Sequence, residues 1–195
     1  MTPEMEQELS SKLRWRNFGE IPNSPVVDFQ DLVRKVNSGE LFLAVNYFVT
    51  PRFTHHLFGM WNSAVAGLIL IPFVTALALV PVAFLVRDYW LLGGMPLALL
   101  AMVFAVPTLK PIKKFGSFLG VVTTVAMLWW VSLAGNYTAA VIAGSYTFPF
   151  WAVRYVYFRN SRKLTTAALR SETLLLYLLQ NGHAFIRDMR SGEKF

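Results

Sequence analysis

Side chains able to do acid–base or metal chemistry are few in this sequence. The most conspicuous pair is His55-His56, which follows Arg52. Adjacent residues on a helix point about 100° apart, so the two imidazoles cannot easily bind one metal ion together. No carboxylate or third ligand lies nearby in the sequence. We therefore interpret the pair as polar rings at an interface, and we predict no metal site and no cofactor.

Known catalytic motifs are missing. The sequence has no Walker loop, no dinucleotide glycine pattern, no H-E-x-x-H and no G-x-S-x-G. It has no cysteine, which excludes disulfides, thiolate ligands and cysteine nucleophiles. The sequence therefore predicts a protein that is not an enzyme. A weaker alternative is a lipid-binding or lipid-modifying enzyme, for which Arg52, His55 and His56 are the visible polar candidates.

Hydroxyl groups are the other polar side chains of interest, because they lie within long apolar segments. In membrane helices such groups usually bond to the backbone or join neighbouring helices. We expect that role here rather than the lining of a pore. The residues concerned are Thr75, Thr123, Thr124, Ser132, Ser145, Tyr146 and Thr147.

The stretch that holds these hydroxyl groups is nearly free of charge. Residues 61–158 contain one acidic residue, Asp88, and five basic residues. The whole chain has 15% charged residues, against about 25% in an average soluble domain. We therefore predict a transmembrane domain at 61–158, between an N-terminal cytoplasmic segment at 1–60 and a C-terminal cytoplasmic segment at 159–195.

Prolines, glycines and charged residues divide this domain into four predicted transmembrane helices. A hydrocarbon core about 30 Å thick needs about 20 apolar residues, and each segment has roughly that length. The fold class is therefore mainly α. The predicted spans are 61–86, 89–109, 115–134 and 137–158, with tight outer turns at 87–88 and 135–136 and a basic inner turn at 110–114.

The basic residues predict the orientation in the membrane. Four spans place both termini and the 110–114 turn on one side, which then holds 17 of the 18 basic residues. Such an excess marks the cytoplasmic side, so we predict an integral protein of the bacterial inner membrane with both termini cytoplasmic. Topology also explains the net charge of +7, and we expect no direct binding of nucleic acid. The residues expected to set topology or contact lipid headgroups are Lys110, Lys113, Lys114, Arg159, Arg162 and Lys163.

The two ends of the chain share a pattern of helix, glycine stop and short strand. At the N-terminal end a helix at 28–36 precedes a segment of strand composition at 40–50. At the C-terminal end a leucine-rich helix at 165–180 precedes a weak strand pattern at 183–189. We predict that the two strands pair and that both ends pack into one small cytoplasmic α/β cap. Unmatched strand edges would invite a neighbouring copy or a partner.

Two further sets of residues are predicted to make contacts between helices or between proteins. Small residues four apart indicate close helix packing, within or between subunits. A leucine-rich helix surface cannot stay bare in water, so it predicts a docking face for a cytoplasmic protein. The small residues are Ser63, Gly67, Gly116, Gly120, Ala140 and Gly144, and the leucines are Leu174, Leu175, Leu178 and Leu179.

These features favour a non-enzymatic membrane subunit that forms homo-oligomers and acts as an anchor, scaffold or sensor for a cytoplasmic partner. A bacterial assembly that reports membrane disturbance, such as an antiviral defence system, fits this architecture. The alternative is a homo-oligomeric channel or membrane-permeabilising effector lined by hydroxyl and aromatic groups. The span interiors lack ionisable residues, which argues against proton-coupled transport.

Overall fold

The structure is a computed structural model that describes residues 3–21, 24, 26–45, 65–105 and 110–194. The described residues are mostly helical, with one two-stranded sheet. It divides into two units. The terminal unit contains both chain ends, Met1–Ser63 and Phe158–Phe195, and the apolar unit is Ala64–Tyr157.

The N-terminal part of the terminal unit contains helix α1 (Pro3–Ser11) and helix α2 (Phe29–Asn37). The Asp28 side chain accepts a hydrogen bond of 2.7 Å from the Asp31 amide. Such a bond satisfies an amide that the first turn of a helix leaves without a backbone partner. The helix predicted at 28–36 is therefore confirmed to within one residue.

The first helix of the apolar unit is α3 (Ile71–Val86), and helical backbone reaches back to Val65 through a 3-10 turn. It ends at Arg87, whose φ of 56° is left-handed. The tight turn predicted after the first span is confirmed, while its position on the outer side of a membrane stays a prediction. The start of that span, at 61–64, lies outside the described residues.

The second predicted span, 89–109, is described in the structure as far as residue 105. Asp88 accepts a hydrogen bond of 3.2 Å from the Trp90 amide and begins a 3-10 helix, Tyr89–Gly93. Helix α4 (Gly94–Ala105) follows directly. The last four residues of the predicted span lie outside the described residues.

Helix α5 (Lys110–Trp129) contradicts the predicted basic turn at 110–114, because these residues form its first turn. Proline suits that position, since the first helical amides have no intrahelical acceptor, and Pro111 occupies it. The helix continues into a π-helical turn, Trp130–Ala134. Together these elements cover the third predicted span, 115–134.

Helix α6 (Tyr137–Ala168) is a single helix of 32 residues. The fourth predicted span, 137–158, therefore ends without a break in the helix, and the basic run at 159–163 is helical. At the other end Asn136 accepts a hydrogen bond of 3.0 Å from the Ala139 amide, after a tight turn that confirms the prediction at 135–136.

Two helical segments are long and apolar enough to cross a membrane, judged by length and composition: Val65–Val86 and Lys114–Ala134. Tyr89–Ala105 is apolar but shorter. The fourth predicted span carries several hydroxyl groups and Arg154, which lower its mean hydropathy. Among the described residues, two of the four predicted spans therefore meet this measure.

The predicted single helix at 165–180 is wrong. Helix α6 continues to residue 168, and a separate helix α7 (Glu172–Gln180) begins after Ser171. The backbone of Ser171 is extended, and its hydroxyl accepts a hydrogen bond of 3.3 Å from the Leu174 amide. This side-chain cap ends one helix and starts the next.

Strand β1 (Leu41–Val45) pairs antiparallel with strand β2 (Ala184–Asp188), which confirms the predicted pairing of the two chain ends. A glycine in the left-handed region lies shortly before each strand: Gly39 at φ 78° and Gly182 at φ 65°. Glycine adopts this backbone without steric cost. The second half of the strand predicted at 40–50 lies outside the described residues.

The core of the terminal unit combines side chains from both chain ends. Phe18, Leu32 and Leu43 come from the N-terminal end, and Leu174, Leu175, Leu176 and Leu178 come from α7. Polar bonds join the ends as well: Gln180 donates to the Lys12 carbonyl at 3.0 Å and accepts from the Arg14 amide. Each end therefore supplies apolar surface that the other needs.

This core corrects the predicted leucine docking face. Leu174, Leu175 and Leu178 are fully buried inside the terminal unit, and Leu179 is partly buried against the same core. The sequence pattern identified a surface that must be covered, but the chain covers it with its own N-terminal end. These leucines are not exposed to a partner.

Candidate functional site

Helices α5 and α6 pack against each other inside the apolar unit. We call the polar contacts between them, made by Thr123, Thr124, Thr147 and Trp151, the polar seam. A Cβ atom at Gly144 would lie 3.2 Å from the Met127 sulfur, and one at Gly120 would lie 2.6 Å from the Phe150 ring. Residue numbers rise along α6 as they fall along α5, so the two helices run antiparallel. Glycine permits this close approach, because it has no side chain to hold the helices apart.

Hydroxyl groups join the helices along the polar seam. The Thr147 hydroxyl donates to the Thr123 hydroxyl at 2.9 Å, and Thr123 in turn donates to the Leu119 carbonyl of its own helix at 2.9 Å. The Trp151 indole donates to the Thr124 hydroxyl at 3.2 Å. The predicted role of these hydroxyls, bonding to the backbone and between helices, is confirmed for these residues.

Helix α4 approaches α6 at one point with similar closeness. Ser145 donates to the Gly94 carbonyl at 2.9 Å, and a Cβ atom at Gly94 would lie 2.7 Å from the Ser145 hydroxyl. The Tyr146 hydroxyl donates to the Gly116 carbonyl at 3.4 Å, and its ring stacks on Phe150 with centroids 5.5 Å apart. The hydroxyls of Ser145 and Tyr146 are thus used by contacts within the chain.

The small residues predicted to pack helices have different surroundings. A Cβ atom at Gly116 would lie 2.8 Å from the Phe104 carbonyl oxygen, while one at Gly67 would meet nothing within 4 Å. Ala140 is buried. Ser63 lies outside the described residues. Gly116, like Gly120 and Gly144, therefore lies at a contact between helices of this chain.

One arginine lies at the end of the polar seam. Arg154 donates to the Ser117 hydroxyl, and its guanidinium carbon lies 5.2 Å from the centroid of the Phe150 ring. A cation over an aromatic face is stabilised by the ring quadrupole. Lys114 is exposed and precedes Ser117 by three residues, so the two lie on the same side of α5.

The sole acidic residue of the apolar unit lies at its opposite end. The Thr138 hydroxyl donates to the Asp88 carboxylate and so links the first turn of α6 to the turn that follows α3. Along α6, positions 138 and 154 are separated by about 24 Å at 1.5 Å per residue. The cationic end, with Arg154 and Lys114, is therefore distant from Asp88.

The other basic residues predicted to set topology or contact lipid lie in the terminal unit or have side chains outside the described set. Arg159 and Lys163 are half-buried and Arg162 is exposed on α6. Burial lowers the pKa of Lys163, and the nearby charge of Arg159 lowers it further. The side chains of Lys110 and Lys113 lie outside the described set.

An apolar cavity of about 390 Å³ lies between helices α3, α5 and α6. Its lining includes Leu79, Met127 and Phe148, with Thr75 and Ser145 as hydroxyl-bearing residues. Ion paths are usually lined by carbonyl rings or charged side chains. This cavity has neither among its lining residues.

The sheet of the terminal unit exposes two aromatic rings that sequence reasoning did not single out. Phe42 is 53% exposed and Phe185 is 39% exposed. Phe42 lies opposite Arg187, and the Lys194 ammonium lies 5.2 Å from the centroid of the Phe185 ring. The alternation along β1 contained the signal, because Leu41, Leu43 and Val45 point to the core and Phe42 must point away. We call Phe42, Phe185, Arg187 and Lys194 the aromatic sheet face.

No group of three or more histidines, aspartates or glutamates within the described ranges could hold a metal ion. Arg52, His55 and His56 lie outside the described residues. No protein-family model matches the chain, no curated protein matches it, and no solved structure matches it.

Proposed function

We propose that this chain is a non-enzymatic integral membrane protein that acts as a membrane anchor or a sensor for a soluble protein partner. The four apolar helical segments cross the inner membrane, and the terminal unit faces the cytoplasm. The chain self-associates in the membrane. The observation that carries this proposal is the combination of apolar composition and poor burial in the two longest apolar segments.

Poor burial separates these segments from the core helices of soluble proteins. Only 22% of the apolar window of Val65–Val86 is buried within the chain, and only 6% of that of Lys114–Ala134. Large apolar side chains along them, such as Leu77, Leu85 and Phe118, are mostly exposed. Soluble monomers rarely expose large contiguous apolar patches, whereas lipid tails can cover such a surface.

The charge distribution supports cytoplasmic termini. In the apolar unit the cationic residues Arg154 and Lys114 lie at one end, and Asp88 with Arg87 lies at the other. Cationic residues accumulate on the cytoplasmic side of membrane proteins. The end with Arg154 is also the end from which α6 continues into the terminal unit.

Contacts inside the apolar unit support an anchor over a channel. Thr123, Thr147 and Ser145 bond to helices of the same chain, so these hydroxyls have partners without lining a pore. The apolar cavity lacks the polar lining that hydrated ions need. A channel would have to form between copies, from surfaces that are mainly apolar.

A leakage assay in liposomes separates these two functions. We expect purified protein reconstituted in lipid vesicles to float with the vesicles and to release no trapped dye or potassium above the protein-free rate. Release that grows with protein density would support the channel and contradict the anchor. Failure to float would contradict membrane insertion itself.

The aromatic sheet face is the surface that we assign to the partner. Two exposed rings supply apolar contact area, and Arg187 and Lys194 flank them with positive charge. Aromatic and arginine side chains are enriched where protein interfaces bind most strongly. The complementary partner is a soluble protein with an acidic rim around an apolar patch.

A photo-reactive amino acid at position 42, in the full chain in its native membrane, tests this assignment. We expect one discrete adduct with another protein, and we expect its loss when Arg187 and Lys194 are both changed to glutamate. The matched control places the reagent at Val27, which is exposed but lies outside the sheet. An adduct of twice the chain mass would assign the face to a second copy, and equal labelling from both positions would contradict a specific surface.

A further inference from the structure

Among the described residues, Arg154 has no acidic counter-ion. All 11 acidic side chains lie in the described ranges, and none of the ion pairs among those ranges involves Arg154. The nearest acidic residue in its own unit is Asp88, which accepts a hydrogen bond from Thr138 at the far end of α6. A cation at the edge of an apolar unit therefore lacks the partner that such charges usually have.

The local contacts fix the guanidinium without neutralising it. The Ser117 hydroxyl accepts one hydrogen bond from it, and the Phe150 ring covers one side at 5.2 Å. Phe150 is itself fully buried and stacked on Tyr146, so packing fixes the position of the ring beside Arg154. A guanidinium has five donors in a planar fork, and one hydrogen bond to Ser117 accounts for only one of them.

We propose that Arg154, with Lys114, binds the phosphate of an anionic phospholipid. The planar fork of arginine matches two phosphate oxygens, while lysine acts as a point charge. Lys114 lies on the same side of α5 as Ser117 and supplies a second positive charge. Trp151 and Tyr155, both exposed on α6 near Arg154, have the amphipathic rings that prefer the headgroup layer.

This inference rests on the membrane insertion put forward under Proposed function, but it adds a specific ligand. Diffuse attraction of basic residues to an anionic surface would distribute over every lysine and arginine near the membrane. Lipid binding at a specific phosphate site depends instead on one arginine and on the serine that orients it. The two cases predict different responses to single substitutions.

The test counts lipids retained by the full-length protein. Protein extracted in mild detergent is supplied with phosphatidylglycerol and, separately, with phosphatidylcholine, and intact complexes are weighed by native mass spectrometry. We expect one phosphatidylglycerol to remain bound by the wild type. Arg154→Gln should lower its affinity by roughly tenfold, the size expected when a charged hydrogen-bond donor is removed. Arg154→Lys should recover part of this loss.

The matched control is Arg87→Gln, which removes one positive charge at the opposite end of the apolar unit and should leave lipid retention unchanged. Ser117→Ala keeps all charges but removes the hydrogen bond that orients the guanidinium, and should weaken lipid binding by a few-fold. It replaces Arg154→Gln as the test variant if Arg154→Gln does not fold.

Equal loss of lipid binding in Arg87→Gln and Arg154→Gln would overturn the site in favour of diffuse attraction. Inorganic phosphate that displaces the lipid at equal concentration would overturn the lipid as ligand and assign free phosphate. If Arg154→Gln floated with membranes and bound the lipid as tightly as the wild type, the phosphate site would be contradicted, while the proposed membrane insertion would stand.

Discussion

Gly116→Ala is expected to destabilise the apolar unit by roughly 1–3 kcal/mol, the usual cost of an added methyl group in a filled interior. The new Cβ atom would lie 2.8 Å from the Phe104 carbonyl oxygen. A backbone atom cannot turn aside as the end of a side chain can, so helices α4 and α5 must separate. That movement would also loosen the hydrogen bond from Tyr146 to the Gly116 carbonyl.

Gly67→Ala is the matched control for this substitution. Gly67 is also in helical backbone, but its added Cβ atom would meet nothing within 4 Å. Alanine favours a helix over glycine by up to about 1 kcal/mol, so Gly67→Ala should leave stability unchanged or raise it slightly. Thermal unfolding in detergent, followed by tryptophan fluorescence, compares the two. Equal stability of both variants would contradict the close contact at Gly116.

The contrast between these glycines shows a limit of sequence reasoning. The same spacing of small residues identifies Gly67 and Gly116 as packing positions. Spacing reports which residues share a helix face, but it does not report which face another helix covers. That information depends on the relative placement of elements, which is a tertiary property.

The folding of the two chain ends was more predictable. Each end has a helix, a glycine with left-handed backbone and a short strand, and the two strands pair as the shared pattern predicts. The break between α6 and α7 was missed because leucines continue on both sides of it. The local signal was present, since Ser171 followed by Glu172 is a favourable helix start.

The proposed phosphate site depends on a contact that no local sequence pattern contains. Ser117 and Arg154 are far apart in sequence, and only the antiparallel packing of α5 and α6 brings them together. The sequence does show that acidic partners for Arg154 are scarce, because residues 61–158 have Asp88 as their only acidic residue. A cation without a nearby carboxylate was therefore visible, but the serine and ring that orient it were not.

Leu175→Ala is expected to destabilise the terminal unit by roughly 2–5 kcal/mol, the range for removing a buried leucine side chain. Leu175 is fully buried in a core to which both chain ends contribute. We therefore expect faster tryptic cleavage after Lys12, Arg14 and Arg16, although these residues lie far from position 175 in sequence. A docking role for this leucine would instead weaken partner binding and leave proteolysis unchanged.

Val27→Ala is the control, because Val27 is 80% exposed and belongs to the same unit. Exposed substitutions usually change stability by less than about 0.5 kcal/mol, so its cleavage pattern should match that of the wild type. The hydrogen bonds of Gln180 to Lys12 and Arg14 make the coupling direct, since loss of α7 packing also removes backbone partners from the N-terminal segment. If Leu175→Ala exposed only cleavage sites after residue 158, the two ends would fold independently and the shared core would not hold them together.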